Sequence, residues 1–477
     1  MNFKKYSNLV LIAGFVLTGC GGSGGGGSSA PGPTAPGPTA PVSINLWTWV
    51  SGSNAANQTG VYGSQGSASL TNIPGARDSA ISWTDAKGNF WLLGGMGYSG
   101  SNIAGFLNDL WRFDGTNWTW VSGSTVTNQT GAYSLTPGVA STTYFPGARQ
   151  SAVSWIDKGG NLWLFGGYGC DSQGNVGYLN DLWKFDTNKQ WTWVSGSNVA
   201  NQNGVYSTTP GIAATTYSPG ARKGAVSWID KGGNLWLFGG EGFDSSGATP
   251  GYLNDLWKYD TNSQWTWVSG NTVVNQIGVS GTQGTAAPGN IPGARLSAVS
   301  WIDVSGNSWL FGGYGVALAG TFGDLNDLWK FDSNSQWTWV SGSKDINQAG
   351  VYSMTTGSAE STNIPGAREN PVSWVDGGGN LWLFGGYGYD TAGTLFYLND
   401  LWKYDGTNWI WMNGSNVANQ TGVYGTEGSG AAGNVPGARH LAISWVDGGG
   451  NLWLFGGAGY GASGHDGDLN DLWRYQP

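Results

Sequence analysis

The phrase Pro-Gly-Ala-Arg recurs through this chain at intervals of 71 to 73 residues. Around each copy the same features return in the same order: Ser-Trp, an apolar run that ends in Gly-Gly, the phrase Leu-Asn-Asp-Leu-Trp and, in all but the last copy, a Trp-x-Trp pair. This period constrains the fold more than any other feature, because each copy must form the same supersecondary unit and pack against its neighbours. The six copies begin at Pro74, Pro146, Pro219, Pro292, Pro365 and Pro436.

Each repeat contains four short apolar stretches separated by turn residues, which predicts a sheet of four antiparallel strands. The 85 glycines of the chain fit so many turns. One such sheet cannot bury both of its faces, whereas six sheets stacked around an axis can. The last copy ends at Tyr475 without its Trp-x-Trp pair, and an unmatched pair, Trp47 and Trp49, precedes the first copy. We therefore expect the N-terminal strand to complete the last blade, because this closure removes an exposed sheet edge.

The Gly-Gly after an apolar run, followed by Asp-Leu-Trp and a later Trp, resembles the kelch motif. The resemblance covers residues 44–477 and implies an all-β fold, a six-bladed kelch-type β-propeller similar to the central domain of galactose oxidase. It implies four antiparallel strands per blade, with the last blade closed by the N-terminal strand. All 30 tryptophans occupy repeated positions. We expect them to form the core between blades rather than platforms for sugars.

The start of the chain has the features of a targeting signal. Lys4 and Lys5 precede a short apolar run, and Leu17-Thr18-Gly19-Cys20 resembles the lipobox of bacterial lipoproteins. The resemblance implies a signal peptide over residues 1–19, cleavage before Cys20 and lipid attachment at the Cys20 thiol. Residues 20–43 are rich in Gly, Ser and Pro, which predicts a tether without a core. The expected location is therefore the bacterial cell envelope, anchored to a membrane by lipid, with the outer membrane or cell surface favoured.

The net charge limits the classes of partner, and the cysteine content limits the thiol chemistry of the chain. Once Lys4 and Lys5 are removed with the signal peptide, 18 basic residues face 29 acidic residues, a net charge of −11. Nucleic acid is therefore disfavoured as a partner, because its phosphates need a basic surface. With Cys20 committed to lipid, Cys170 is left as the free thiol, and we expect it to be a buried or loop cysteine rather than a reactive one.

Strand parity divides the connections between two faces of the propeller. The turns between the first and second strands and between the third and fourth strands are short and share one face. The longer connections share the other face, which we take as the binding face. The N-terminal strand starts at the short-turn face, so the long-loop face should point away from the membrane. The repeated Arg and Asp, such as Arg149 and Asp181, fall near one face, and we expect them to pair within each blade.

Ligand specificity should come from positions that differ between blades. One such set directly follows the repeated arginines and consists of Asp78, Gln150, Lys223, Leu296, Glu369 and His440. The loops between the second and third strands also differ, and they combine Tyr with Asp or Glu, which suits polyols or peptides. From these sets we predict binding roles for Tyr98, Tyr168, Asp171, Lys223, Glu241, Phe243, Glu369, Tyr387, Tyr389, Asp390, His440 and His465. For each of them a solvated loop residue without a ligand is the alternative.

Catalysis is less favoured than binding. A copper site of the galactose oxidase type implies two His, two Tyr and a Tyr–Cys crosslink, whereas this chain has only His440 and His465, both in the last copy and far from Cys170. The acidic segment 465–471 lacks the EF-hand pattern for calcium. We therefore predict no catalytic residues, metal or cofactor, and a lipoprotein that binds protein or glycan ligands. The alternative is a sugar-modifying enzyme, because resemblance to a kelch-type mutarotase implies roles for Arg295, Glu369 and His440.

Overall fold

A computed structural model describes residues 45–247 and 249–477. Within these ranges the chain forms strands, turns and loops, with no helix and hence no helix long and apolar enough to cross a membrane. The predicted signal peptide (1–19), the predicted tether (20–43) and residue 44 lie outside the described residues.

The described residues form six blades, each an antiparallel sheet with an inner, a second, a third and an outer strand. The inner strands are Ile81–Thr84, Val153–Ile156, Val226–Ile229, Val299–Ile302, Val372–Val375 and Ile443–Val446. The second strands are Phe90–Tyr98, Leu162–Cys170, Leu235–Gly242, Ser308–Phe311 with Tyr314–Val316, Leu381–Tyr389, and Leu452–Phe455 with Ala458–Tyr460. The third strands are Ala104–Phe113, Val176–Phe185, Gly251–Tyr259, Phe322–Asp324 with Leu328–Phe331, Leu395–Tyr404, and Asp466–Asp468 with Leu472–Gln476. The outer strands are Trp118–Ser122, Trp191–Ser195, Trp265–Ser269, Trp337–Ser341, Trp409–Asn413 and Leu46–Ser51.

The blades close into a ring. The inner strands of neighbouring blades contact one another all the way round, including those of the last and first blades. Six apolar clusters fill the spaces between neighbouring blades of the described chain, and each cluster contains five tryptophans. The predicted structural role of the tryptophans is therefore confirmed, because every one of the 30 is packed between blades. The outer strand Leu46–Ser51 pairs antiparallel with Leu472–Gln476, which confirms the closure of the last blade by the N-terminal strand.

The long connection that enters each blade also covers its outer edge. Ala140–Ser141 and Ala213–Ala214 are two-residue strands that pair with the outer strands of the second and third blades. The other four blades have a single bridge at the same place, such as Ser69 to Trp118. An unpaired edge strand is a template for aggregation, so this cover protects the rim of the propeller. It also accounts for part of the length of these connections.

Leu46, at the start of the described chain, lies opposite Gln476 at the end of the last third strand. Both residues are at the short-turn face, where turns such as Asp186–Gln190 join the third and outer strands. The long-loop face is at the opposite end of the blades. It is formed by the connections between second and third strands and those between blades.

Candidate functional site

A buried ion pair anchors each blade beneath the long-loop face. In the second blade, Arg149 donates two hydrogen bonds of 2.7 Å to the carboxylate of Asp181 and further bonds to the carbonyl oxygens of Gly147 and Gly166. Tyr133 and Trp183 donate to the same carboxylate at 2.6 Å. The equivalent pairs are Arg77–Asp109, Arg222–Asp255, Arg295–Asp327, Arg368–Asp400 and Arg439–Asp471. The predicted pairing within blades is confirmed, and the repeated arginines are committed to the scaffold.

A closed ring of backbone hydrogen bonds surrounds the central channel. Each blade contributes one residue with positive φ, directly after the variable position that follows the repeated Arg. Its N–H donates to the same residue of the neighbouring blade, as in Ser151 to Ser79 at 2.9 Å. The ring consists of Ser79, Ser151, Gly224, Ser297, Asn370 and Leu441. Because the ring fixes the backbone next to each variable residue, it also fixes where that residue's side chain starts.

Above this ring, each blade presents a row of three side chains in direct register. The first residue follows the repeated Arg, the second lies opposite it on the second strand, and the third lies opposite the second on the third strand. The rows, which we call the mouth ring, are Asp78, Met96 and Phe106; Gln150, Tyr168 and Tyr178; Lys223, Glu241 and Tyr252; Leu296, Tyr314 and Asp324; Glu369, Tyr387 and Tyr397; and His440, Ala458 and Asp468. Directly opposed residues of paired strands share one face of the sheet, so each row acts as a unit. The composition of the rows differs from blade to blade, whereas the scaffold beneath them is repeated.

The third member of each row is held by an asparagine of the next connection. Asn201, at φ 62°, donates its N–H to the carbonyl oxygen of Tyr178 at 2.7 Å and accepts the N–H of Tyr178 with its Oδ1 at 3.0 Å. Gly177 makes room for this clamp, because a Cβ there would lie 2.6 Å from Asn201 Oδ1. An Asn-Gln phrase recurs in each of these connections, and it is therefore a positioning device that acts through side chain–backbone hydrogen bonds.

The fifth blade departs from this clamp. It has Phe396 at the position of the glycine, and the Oδ1 of Asn419 has no hydrogen-bond partner among the described residues. The N–H of Asn419 still donates to the carbonyl oxygen of Tyr397 at 2.8 Å. Half of the clamp is thus lost where the space for it is filled by a side chain.

Lys223 lies in a cage of rings and a carboxylate at the seam between the second and third blades. Its Nζ is 3.2 Å from Glu241 Oε2 and lies 5.7 Å and 5.8 Å from the ring centres of Tyr168 and Tyr178. Tyr178 donates its hydroxyl to Glu241 Oε1 at 2.5 Å. Burial and this hydrogen bond raise the pKa of Tyr178 above its usual range, so the ring stays neutral. The cage shows that this part of the mouth ring accommodates an ammonium group.

Two carboxylates lie at the seam between the fourth and fifth blades. Asp324 is 3% exposed, and its Oδ1 has no hydrogen-bond partner among the described residues. Burial, together with the charge of Glu369, raises the pKa of Asp324 to about 7. Burial also raises the pKa of Glu369 to about 7, with Lys223 lowering it and Glu241 raising it. The seam therefore holds two acids whose ionisation is opposed by their surroundings.

A second carboxylate pair lies between the last and first blades. Burial and the neighbouring charge of Asp78 raise the pKa of Asp468 to about 7, and burial raises the pKa of Asp78. Next to them in the ring, His440 has its centre 4.9 Å from that of Tyr397, and burial lowers its pKa to about 4. The histidine is therefore neutral at pH 7.

The structure brings together six of the predicted binding residues in the mouth ring: Tyr168, Lys223, Glu241, Glu369, Tyr387 and His440. Phe243 and Tyr389 lie beside the mouth ring. The centre of the Phe243 ring is 5.9 Å from that of the Tyr178 ring. Burial raises the pKa of Tyr389, and the nearby charge of Asp324 raises it further. Tyr98 is half-buried and His465 is exposed, and both lie outside the ring.

The remaining two predicted residues, Asp171 and Asp390, are buried within their own loops. Asp171 accepts backbone N–H groups of Gln173, Asn175 and Ala200, and Asp390 accepts the equivalent set. Both carboxylates therefore hold loops together rather than face the mouth. Their bonding partners come from their own loop and the next connection, which sequence spacing alone does not reveal.

No binding role was predicted from sequence for the third member of any row, although Asp468 lies in the acidic segment 465–471 noted above. The third members are Phe106, Tyr178, Tyr252, Asp324, Tyr397 and Asp468, and each directly precedes the repeated Leu-Asn-Asp phrase. The signal was available, because this position varies between copies while the following residues do not. Only strand pairing brings this position into register with the variable residue after the repeated Arg, and the spacing of the sequence does not show that register.

The described residues contain no group of three or more His, Cys, Asp or Glu side chains arranged to hold a metal ion. Cys170 is a free, buried thiol, and burial raises its pKa, which makes it a poor nucleophile.

Comparison with known proteins does not assign this chain to a family. No protein-family model matches the chain, and no curated protein matches it. Among solved structures, a structure of YjhT is 16% identical over 84% of this chain and 95% of its own, with a TM-score of 0.47. A fungal alcohol oxidase of the AA5 family, solved in complex with copper, is 12% identical over 84% of this chain and 74% of its own, with a TM-score of 0.44. At these values neither match bears on function, and the propeller fold rests on the strand pairing described above.

Proposed function

We propose that this chain is a binding protein that recognises a glycan through the mouth ring. The observation that carries the proposal is the contrast between the two levels of the long-loop face. The ion pairs, the backbone ring and the asparagine clamps repeat from blade to blade, whereas the three-residue rows above them do not. Variable side chains on a rigid, repeated scaffold are typical of a recognition surface.

The chemistry of the rows favours a glycan over an extended apolar partner. Tyrosine and phenylalanine rings follow one another around much of the ring, as in Phe106 to Tyr168 at 5.9 Å and Tyr252 to Tyr314 at 5.6 Å. Such rings offer apolar faces with a polar edge, and the carboxylates between them accept hydrogen bonds from hydroxyl groups. A few polar groups set among aromatic side chains are typical of a small-ligand site.

The proposal includes the anchor. Lipid attachment at Cys20 would hold the chain to a membrane of the bacterial cell envelope. The outer strand Leu46–Ser51 begins at the short-turn face, opposite the mouth ring, which supports a mouth that faces away from the membrane. A Cys20→Ala variant tests the anchor, because it should be recovered from the soluble fraction, whereas wild type should remain with membranes.

A glycan-array screen of the full chain tests the binding function, with calcium and again with a chelator. We expect binding to a defined set of sugars that is unaffected by the chelator. Binding should be lost in a Tyr178→Ala, Glu241→Ala double variant and retained in Asp345→Asn, which changes an exposed carboxylate on the same face. A blank array, together with capture of an envelope protein that depends on Tyr178, would replace the glycan with a protein ligand.

One observation favours a second candidate, the sugar-modifying enzyme. Burial holds the pKa of Glu369 near 7, which suits a general acid or base, and its partner across the strand, Tyr387, lies 6.0 Å from His440 between ring centres. Arg295 does not take part, because it is 2% exposed and bonded to Asp327. The test is interconversion of sugar anomers followed by NMR: loss of turnover in Glu369→Gln would favour the enzyme, and absence of turnover in wild type would exclude it.

A further inference from the structure

We propose that the ligand carries a protonated amine, and that this amine binds at the seam between the fourth and fifth blades, between Asp324 and Glu369 and beside the rings of Tyr252, Tyr314 and Tyr389. The inference rests on the proposed function and names the class of glycan, an amino sugar with a free amino group. We call these five residues the amine cluster.

The first argument is that the mouth ring already holds one ammonium group, its own. Lys223 is bonded to Glu241 and lies over Tyr168 and Tyr178, which gives a positive charge both a carboxylate and aromatic faces. This is the arrangement by which proteins bind amines from outside. The environment of the Lys223 ammonium group therefore indicates how this ring would bind the amine of a ligand.

The second argument is that the amine cluster has the same kinds of residue but no cation of its own. At the position of Lys223, the fourth blade has Leu296 and the fifth blade has Glu369. Asp324 and Tyr314 lie directly opposite each other, and the ring centres of Tyr252 and Tyr314 are 5.6 Å apart. The charge of Lys223 does reach Glu369, but its direct ion pair is with Glu241.

The third argument is the condition of Asp324. This side chain is 3% exposed, yet its Oδ1 has no hydrogen-bond partner among the described residues, and the other charge close enough to affect its pKa belongs to another carboxylate, Glu369. A buried carboxylate without a partner is costly, and a donor that arrives with a ligand removes that cost. An ammonium group supplies both the hydrogen bonds and the missing positive charge. Burial and the charge of Asp324 raise the pKa of Tyr389, and burial with the charges of Glu241 and Glu369 raises the pKa of Tyr252, so each hydroxyl lies near one of the two acids.

The seam between the last and first blades is a weaker candidate for the same group. Burial and the neighbouring charge of Asp78 raise the pKa of Asp468, so a single proton on this pair relieves their repulsion. In the row of the last blade, the residue directly opposite Asp468 is Ala458 rather than an aromatic side chain. The amine cluster is therefore the place where an external ammonium group gains most.

The test is calorimetry of the full chain with a glucosamine tetrasaccharide that has free amino groups and with its N-acetylated counterpart, at pH 7. We expect the free amine to bind about tenfold or more tightly than the acetylated form, because hydrogen bonds between charged groups are stronger than those of a neutral amide. The Asp324→Asn, Glu369→Gln double variant should abolish this preference. Glu369→Lys should abolish it as well, because it places an ammonium group inside the cluster, whereas Asp345→Asn should leave it unchanged.

The outcomes separate the inference from the function on which it rests. Equal binding of the two tetrasaccharides, or a preference that survives in the double variant, would overturn the amine cluster and leave glycan binding intact. Absence of binding to both, with a positive glycan array for other sugars without amines, would also overturn it. Absence of binding to any glycan would overturn the inference and the proposed function together. Circular dichroism of each variant shows that a lost preference reflects the site and not the fold.

Discussion

The fourth blade lacks one bond that its five counterparts have, which allows a gain-of-stability test. In the other blades a tyrosine of the entering connection donates its hydroxyl to the repeated Asp, as Tyr206 does to Asp255 at 2.7 Å. The fourth blade has Ser280 at this position. The other tyrosines of the set are Tyr62, Tyr133, Tyr352 and Tyr424. We predict that Ser280→Tyr stabilises the protein.

The backbone that follows Ser280 has the same conformation as the backbone that follows Tyr62 in the first blade. Gly281 has φ 59°, close to the 60° of Gly63, which follows Tyr62 in the first blade. In both blades a neighbouring asparagine binds the outer strand in the same way: Asn290 donates to the carbonyl oxygen of Trp337 at 3.0 Å, as Asn72 does to that of Trp118. The new side chain should therefore reach Asp327 without a change of loop conformation.

The size of the stabilisation follows from the interactions that the equivalent tyrosine, Tyr206, makes in the third blade. A hydrogen bond to a charged group contributes about 1.5–3 kcal/mol. Tyr206 also packs against two tryptophans, with ring centres 4.8 Å and 5.6 Å away, and aromatic pairs contribute about 0.5–1.5 kcal/mol each. Two costs reduce this gain in free energy. The new side chain loses conformational freedom, and it displaces Lys344, whose Nζ lies 4.5 Å from the ring centre of Trp339. We expect a net gain of about 2 kcal/mol in the free energy of unfolding.

Urea denaturation followed by tryptophan fluorescence measures this gain as a shift of the midpoint. Ser280→Phe is the matched control, because it adds the ring contacts without the hydroxyl and should recover only part of the gain. Tyr206→Phe is the reciprocal change and should destabilise by about 1.5 kcal/mol. The reasoning fails if Ser280→Tyr is no more stable than Ser280→Phe, or if Tyr206→Phe is neutral.

Two further predictions concern the mouth ring. Phe396→Gly should restore the clamp on Tyr397 by giving the Oδ1 of Asn419 its N–H partner, and slower amide exchange at Tyr397, measured by mass spectrometry, checks this. Asp324→Asn should stabilise the protein more at pH 8 than at pH 4. Burial and the charge of Glu369 raise the folded pKa of Asp324 from 3.8 to about 7, so the wild-type carboxyl costs nothing below the unfolded pKa. Its cost grows as pH rises from the unfolded pKa to the folded pKa and is constant above it, at most about 4 kcal/mol. Urea midpoints of both proteins across this range test it, and equal pH profiles would contradict the raised pKa.

Much of the fold could be predicted from sequence because the same pattern of strands and turns recurs in six copies. The unmatched Trp47 and Trp49 located the closing strand, and the repeated Arg and Asp were assigned to each other correctly. The edge cover could not be predicted in this way. It depends on short backbone pairings such as Ala140 with Thr192, whose side chains have no shared pattern that would mark them as partners.

The candidate site was predicted in part, for a physical reason. A residue such as Lys223 is identified by its variability, but its neighbours come from another blade, and only ring closure places Tyr178 beside it. Asp171 looked like a ligand residue because it follows Tyr168 in a variable loop. Its carboxylate instead accepts hydrogen bonds from backbone N–H groups, including that of Ala200. The sequence does not show which backbone groups lack other partners.

The scaffold also explains why so few charges set the character of the mouth. Each repeated Arg is neutralised by its own Asp at about 2.7 Å, so the six buried pairs of the described chain contribute little net field at the long-loop face. Within the mouth ring the field is set by the unrepeated residues, where the five carboxylates Asp78, Glu241, Asp324, Glu369 and Asp468 face one lysine, Lys223. An excess of carboxylates among aromatic rings repels anionic sugars and attracts cationic ones. The same argument that assigns the arginines to structure therefore favours a positively charged group on the ligand.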